Sequence, residues 1–123
     1  FLKKEIEKEK EKIIENGFEY EINSKQVIQK CREKDKSNIL GTMQLLNETK
    51  QSIIDWKFND ENNNDVIEKI TPGNLKEMLI RGAQLTSKGI ETEQKLFYVI
   101  TKLTDKQLEK FNVEDEFLKL MEE

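Results

Sequence analysis

The chain has 123 residues, enough for one domain with a modest core, and carries 21 Lys and Arg against 25 Asp and Glu, a formal net charge of -4. Charged residues (37%) outnumber hydrophobic ones (35%), so the core is thin; bases interleave with acids along the chain, which argues against a nucleic-acid backbone as partner. No stretch approaches the roughly 18–20 apolar residues of a membrane span, the absence of histidine removes Ser-His-Asp, Cys-His and His-metal chemistry, and the single Cys31 excludes an intrachain disulfide.

The chain opens on Phe1, the expected mark of a processed product or of a piece of a longer polypeptide. Phe1 to Glu15 reads as a helix of alternating acid and base, with Leu2, Ile6 and Ile13 at 4-3-4 spacing if Glu9 fills the missing core position. Two readings stand: a solvated, fraying terminal helix, or the end of an oligomerising stalk. Asn16-Gly17 is a helix C-cap signal. Phe18, Tyr20 and Ile22 then alternate with Glu19 and Glu21 as a half-buried strand, and Asn23-Ser24 turns the chain into a second short strand around Gln26–Gln29. After the charged stretch Lys30–Lys36, Ser37 or Asp35 is expected to cap a helix carrying Ile39, Leu40, Met43 and Leu46 and ending near Lys50.

From Ile53 to Phe58 the period switches to two, with Ile54, Trp56 and Phe58 on one face; Asn59–Asp65 is a turn, and Val66–Ile70 returns as a strand. This second hairpin leads into a long amphipathic helix over about 72–103, opened by Thr71-Pro72. Its expected stripe is Leu75, Met78/Leu79, Ala83, Thr86, Ile90, Leu96/Phe97, Ile100 and Leu103. Gly82 and Gly89 lie seven residues apart near one line of its surface and imply either a kink or a groove for close packing. Thr104 or Asp105 caps a short helix with Leu108 and Phe111, and Asn112 to Glu116 starts a last one with Phe117, Leu118 and Met121, an amphipathic tail suited to docking.

The expectation is an α+β fold: two short β-hairpins packed with the long helix over about 72–103 and shorter flanking helices. It divides as residues 1–16, a charged helix and candidate oligomerisation segment, and residues 17–123, a single α+β domain with C-terminal helices.

Chemistry is mostly excluded. Lys30 and Arg32 beside Cys31 favour a thiolate, but a nucleophile needs a partnering base and none is marked. Asp60, Asn62 and Asn64 occupy the first alternating positions of a calcium loop, yet Asp65 stands where glycine belongs and Thr71 where a bidentate Glu belongs. No catalytic, cofactor-binding or metal residues are assigned. Trp56 suits stacking on a sugar or base, although its alternation with Ile54 and Phe58 favours the core.

The order of Asn16-Gly17-Phe18, Lys36-Ser37-Asn38-Ile39, Asp55-Trp56-Lys57-Phe58-Asn59-Asp60 and Ile70-Thr71 running into Leu75 resembles a small uncharacterised domain family of bacteriophage and prophage tail-fibre and tail-assembly proteins. The resemblance spans about Lys12 to Phe117. The chain departs from the family pattern in having Lys36 and Lys57 where arginines are usual and in a longer Asn-rich turn. What the resemblance implies is a non-enzymatic part of a contractile tail: a tail fibre, a fibre-attachment segment or a baseplate-associated subunit. Such a part is made in the bacterial cytoplasm and located in the virion tail. Its expected partners are other tail or baseplate subunits or further copies of itself, with no membrane insertion and no cofactor. The interaction candidates are Leu2, Ile6 and Ile13 at one end, Gly82 and Gly89 on the long helix, and Phe117, Leu118 and Met121 at the other end. The rival classes are a small acidic phage-encoded inhibitor or regulatory protein of a host or defence protein, and a carboxylate enzyme with a metal.

Overall fold

The computed structural model describes residues 1–123. Its elements in chain order are α1 (Leu2–Asn16), β1 (Phe18–Ile22), β2 (Lys25–Gln29), α2 (Glu33–Thr49), β3 (Ile54–Asn59), β4 (Asp65–Ile70), α3 (Pro72–Ile100), α4 (Asp105–Glu109) and α5 (Val113–Met121). The architecture is α+β, with two antiparallel hairpins in one sheet of order β1-β2-β3-β4. The elements gather into two compact units, Glu15–Leu85 and the pair of segments Phe1–Ile14 and Thr86–Glu123, the second holding most of α1 together with the C-terminal helices.

In the unit Glu15–Leu85, each turn follows from its residues. Gly17 has φ +79°, and a Cβ there would run into the Gln29 carbonyl, so the α1–β1 junction requires glycine. Asn23 (φ 51°) and Ser24 (φ 66°) both adopt the left-handed conformation of a two-residue hairpin turn whose twist suits the strands. That turn sets the register Phe18↔Gln29, Tyr20↔Val27 and Ile22↔Lys25. In the second hairpin Ile54 pairs with Ile70 and Phe58 with Val66, while the two hairpins join through the single pair Ile28↔Asn59.

One face of the sheet is covered by α2, through Ile39, Met43 and Leu46, and by the start of α3, through Leu75, Met78 and Leu79. Tyr20 and Phe58 stack at the centre, ring centroids 6.1 Å apart. Glu68 stands in the inner row of β4 between Val66 and Ile70, only 9% exposed; it accepts from Lys25 Nζ (2.8 Å) and Asn23 Nδ2 (3.1 Å), which tie the first turn to the last strand. Those two donors, Lys25 first, hold its carboxyl below the usual glutamate range.

Two helix termini differ from expectation. α2 begins at Glu33 because Asp35, in its first turn, accepts from the Arg32 backbone N–H (2.9 Å) and from the Arg32 guanidinium (2.8 and 3.2 Å); Ser37 lies inside the helix. α3 ends at Ile100, before Leu103, because the Thr101 hydroxyl donates to the Tyr98 carbonyl (2.6 Å) and the backbone tightens into i→i+3 bonds. Its start is as expected: Thr71 Oγ1 accepts from the Asn74 N–H (3.2 Å), and the Asn74 side-chain oxygen accepts from the Thr71 N–H (2.9 Å).

α3 is unbroken through both glycines, and its buried line differs from the expected stripe. Leu75, Gly82, Gly89 and Leu96 are buried at seven-residue intervals with Met78 and Thr92, while Ala83 and Ile90 face outward. Close approach explains the rotation: a Cβ on Gly82 would lie 3.2 Å from Cys31 Sγ, and one on Gly89 would lie 3.1 Å from Ile14 Cδ1. Both glycines serve as packing grooves within the chain.

The unit of Phe1–Ile14 and Thr86–Glu123 is wholly helical. Its core is Ile6, Leu96, Val113 and Phe117, flanked by Leu2, Ile13, Phe97 and Met121 among others. Lys10 reaches the buried Glu93 at 2.9 Å, an ion pair that gives the charged face of α1 a fixed partner. Thr104 caps α4 and Asn112 caps α5 through their side chains.

Candidate functional site

The structure uses most of the expected interaction residues internally. Ile6 and Phe117 are fully buried in the helical core, with Leu2, Ile13 and Met121 packed against it, and Met121 Sδ accepts from the Thr92 hydroxyl (3.4 Å). The seam expected to face another subunit therefore faces the C-terminal helices of the same chain, because that pairing buries the apolar stripes of α1 and α5 together. Gly82 and Gly89 are likewise buried, and only Leu118 stays open, at 45% exposure. In this unit an apolar groove of about 700 Å³ runs beside Phe1, Leu2, Ile100, Leu108 and Phe111.

In the sheet unit, a polar cleft of about 360 Å³ lies where α2 passes β2 and β3. Gln29, Arg32, Asp35, Asn38, Thr42 and Trp56 line it, with Lys34 on α2 and with Lys57, whose side chain belongs to the exposed row of β3 beside Asp65. Helical spacing explains the α2 contribution: Asp35, Asn38 and Thr42 recur at three and four residues and share one edge of the helix, beside the apolar row of Ile39, Met43 and Leu46. Trp56 comes from the inner face of β3; its Nε1–H donates to Gln29 Oε1 (2.9 Å), and the Gln29 amide N–H donates in turn to the Lys30 carbonyl (2.9 Å). The indole is therefore half-buried and tethered at its polar edge.

Charge in the cleft is divided. The Arg32 guanidinium and the Asp35 carboxylate neutralise one another; burial works against Asp35 ionising, but the hydrogen bonds from Arg32 outweigh it and hold the carboxyl below its usual range. Lys34 has no partner, and Lys57 only a loose, exposed one in Asp65 at 3.9 Å. The lining is thus cationic within an acidic chain. Sequence reasoning weighed Trp56 alone and missed its companions, which are far apart in the chain; the signal available was the polar row at helical spacing in α2.

Two other candidates resolve locally. Burial pushes the Cys31 thiol up to about 11, against the expectation that neighbouring bases favour a thiolate: its side chain is only 5% exposed, while Lys36 lowers and Asp35 raises the value by smaller amounts. Asp60 is turned into its own loop, where Oδ1 accepts from the backbone N–H groups of Asn62 (2.9 Å) and Asn64 (2.8 Å), the arrangement of a hairpin tip. No helix is long and apolar enough to cross a membrane.

These observations define a small α+β protein whose two candidate surfaces are an apolar groove and a polar cleft with a tethered tryptophan. Comparison with family models, with curated proteins and with solved structures gives no match.

Proposed function

We propose that the chain is a non-enzymatic structural component of a phage or phage-like contractile tail, acting through protein–protein contacts as a fibre, fibre-attachment or baseplate-associated subunit. The reading rests on the resemblance of its ordered motifs: Asn16-Gly17-Phe18 at the helix–hairpin junction, Trp56 in the second hairpin with its Asp- and Asn-rich turn, and Thr71 capping the long helix. The observation that carries the contact mechanism is the groove beside Phe1, Leu2 and Phe111, together with Tyr98 at 65% and Leu118 at 45% exposure, apolar surface that a small acidic chain leaves for neighbours. Contacts in this reading bury that surface, and the α1 stripe acts by closing the chain's own helical core.

Mass spectrometry and immunogold labelling of purified tail particles test the proposal. The chain is expected in the particles at constant stoichiometry. Its absence from them, with recovery instead in a one-to-one complex with a host protein, would establish the inhibitor class. Light scattering of the intact chain and of Leu118→Asp measures whether the exposed C-terminal face contributes to self-association.

A further inference from the structure

The geometry points to the cleft between α2, β2 and β3 as a binding site for a saccharide ring that carries an acidic group, a carboxylate or a phosphate. This inference stands on the cleft's own chemistry and does not depend on the tail reading.

The floor is aromatic. Trp56 is the only tryptophan of the chain, and its one polar atom is already satisfied by Gln29, itself 4% exposed. What the indole still offers a ligand is π surface, whose negative face attracts the slightly positive C–H groups on the apolar face of a pyranose. Because the ring is tethered before any ligand arrives, little rotamer entropy is lost when it is covered.

The wall offers neutral hydrogen-bonding groups. The Asn38 amide and the Thr42 hydroxyl, one helical turn apart on α2, make no hydrogen bond with any other protein group, and together they supply donors and acceptors across a span comparable with one sugar ring. The Arg32–Asp35 pair is fixed bidentately, leaving spare guanidinium N–H donors beside spare carboxylate lone pairs, the mixed pattern that vicinal hydroxyls match. Inorganic phosphate alone is a poorer fit, since the guanidinium best suited to it is already neutralised. The acidic group is specified by Lys34, an unpaired cation one helical turn before Asn38 on the same edge of α2. A volume of about 360 Å³ accommodates one or two rings and lies at the low end of small-ligand pockets.

The test uses the full chain, labelled with nitrogen-15, and follows the single indole N–H resonance and the side-chain amides of Gln29 and Asn38 while glucuronic acid, glucose or inorganic phosphate is added. Glucuronic acid is expected to move all three in a saturable manner, with glucose binding about tenfold more weakly. Lys34→Gln, on the surface, is expected to erase most of that difference while changing glucose binding far less. Asn38→Ala weakens both sugars about fivefold, and Trp56→Phe, which keeps an aromatic floor, retains more affinity than Trp56→Ala. Should Trp56→Ala fail to fold, the lysine and Asn38 variants still decide. Resonances unmoved by either sugar overturn the proposal, as does phosphate reproducing the glucuronate shifts with equal affinity, which makes the cleft an anion site only.

Discussion

The sheet unit and the helical unit bury cores of similar character by different routes. Glu15–Leu85 is one continuous stretch, and its hairpins close over a two-residue turn at Asn23-Ser24 and a short loop at Asp60–Asn64. The helical unit is assembled from Phe1–Ile14 and Thr86–Glu123, so Ile6 meets Leu96 and Phe117 across most of the chain length. Closing so long a loop costs entropy before any contact forms, whereas the hairpins meet their partners locally. A fold can therefore be locally specified in one half and depend in the other on two chain ends finding each other.

Removing residues 1–14 is expected to have the largest effect and to separate the two units. Loss of Ile6 and of Lys10 from beside Glu93 is expected to unfold the helical unit, so that amides of 105–121 lose hydrogen-exchange protection while the β3–β4 ladder keeps its own. Simultaneous loss in both units would show one cooperative block and overturn the distinction. Single core truncations come next: Phe58→Ala, at a site with 0% exposure, is expected to cost about 3–5 kcal/mol, and Ile6→Ala, also at 0%, about 2–5 kcal/mol. Protection should fall in the sheet for the first and in the helical unit for the second.

Gly17→Ala probes the junction that starts the sheet unit. Its positive φ and the Gln29 carbonyl in the path of a Cβ put the expected cost at roughly 3 kcal/mol, read from denaturant unfolding. The smallest effect is that of acid. Asp35, Asp60 and Glu68 in the sheet unit are held below their usual range, and only Glu91 in the helical unit is, with Lys95 as its main partner. Depressed native values mean stability that is present above about pH 4.3 and is lost as pH falls through the depressed values. The sheet unit is thus expected to lose thermal stability first on acidification, and Glu68→Gln to flatten its slope; an unchanged slope in that variant would remove Glu68 as the cause.

Much of the fold was legible in the chain itself. The alternation of Phe18, Tyr20 and Ile22, the Asn23-Ser24 turn, the Thr71-Pro72 start and the Asn112 cap all act over a few residues, and the structure places strands, turn and helix starts there. The rotation of α3 was not legible, because placing Gly82 and Gly89 inward is favourable only when Cys31 and Ile14 arrive to fill the space. Neither was the use of α1: an amphipathic stripe states that Ile6 must be buried, and it does not say against what.

The cleft divides in the same way. Strand alternation placed Trp56 on one face of β3 with Ile54 and Phe58, whereas the polar row of Asp35, Asn38 and Thr42, although at helical spacing, gained meaning only once the indole stood beside it. Only tertiary structure brought Gln29 to the indole nitrogen and closed Arg32 onto Asp35 beside them. Local backbone preference and patterning decide which elements form and which faces are apolar, since those depend on neighbours a few residues away. Which apolar face meets which, and which polar groups are left open at the seam, is decided by packing between residues distant in the chain.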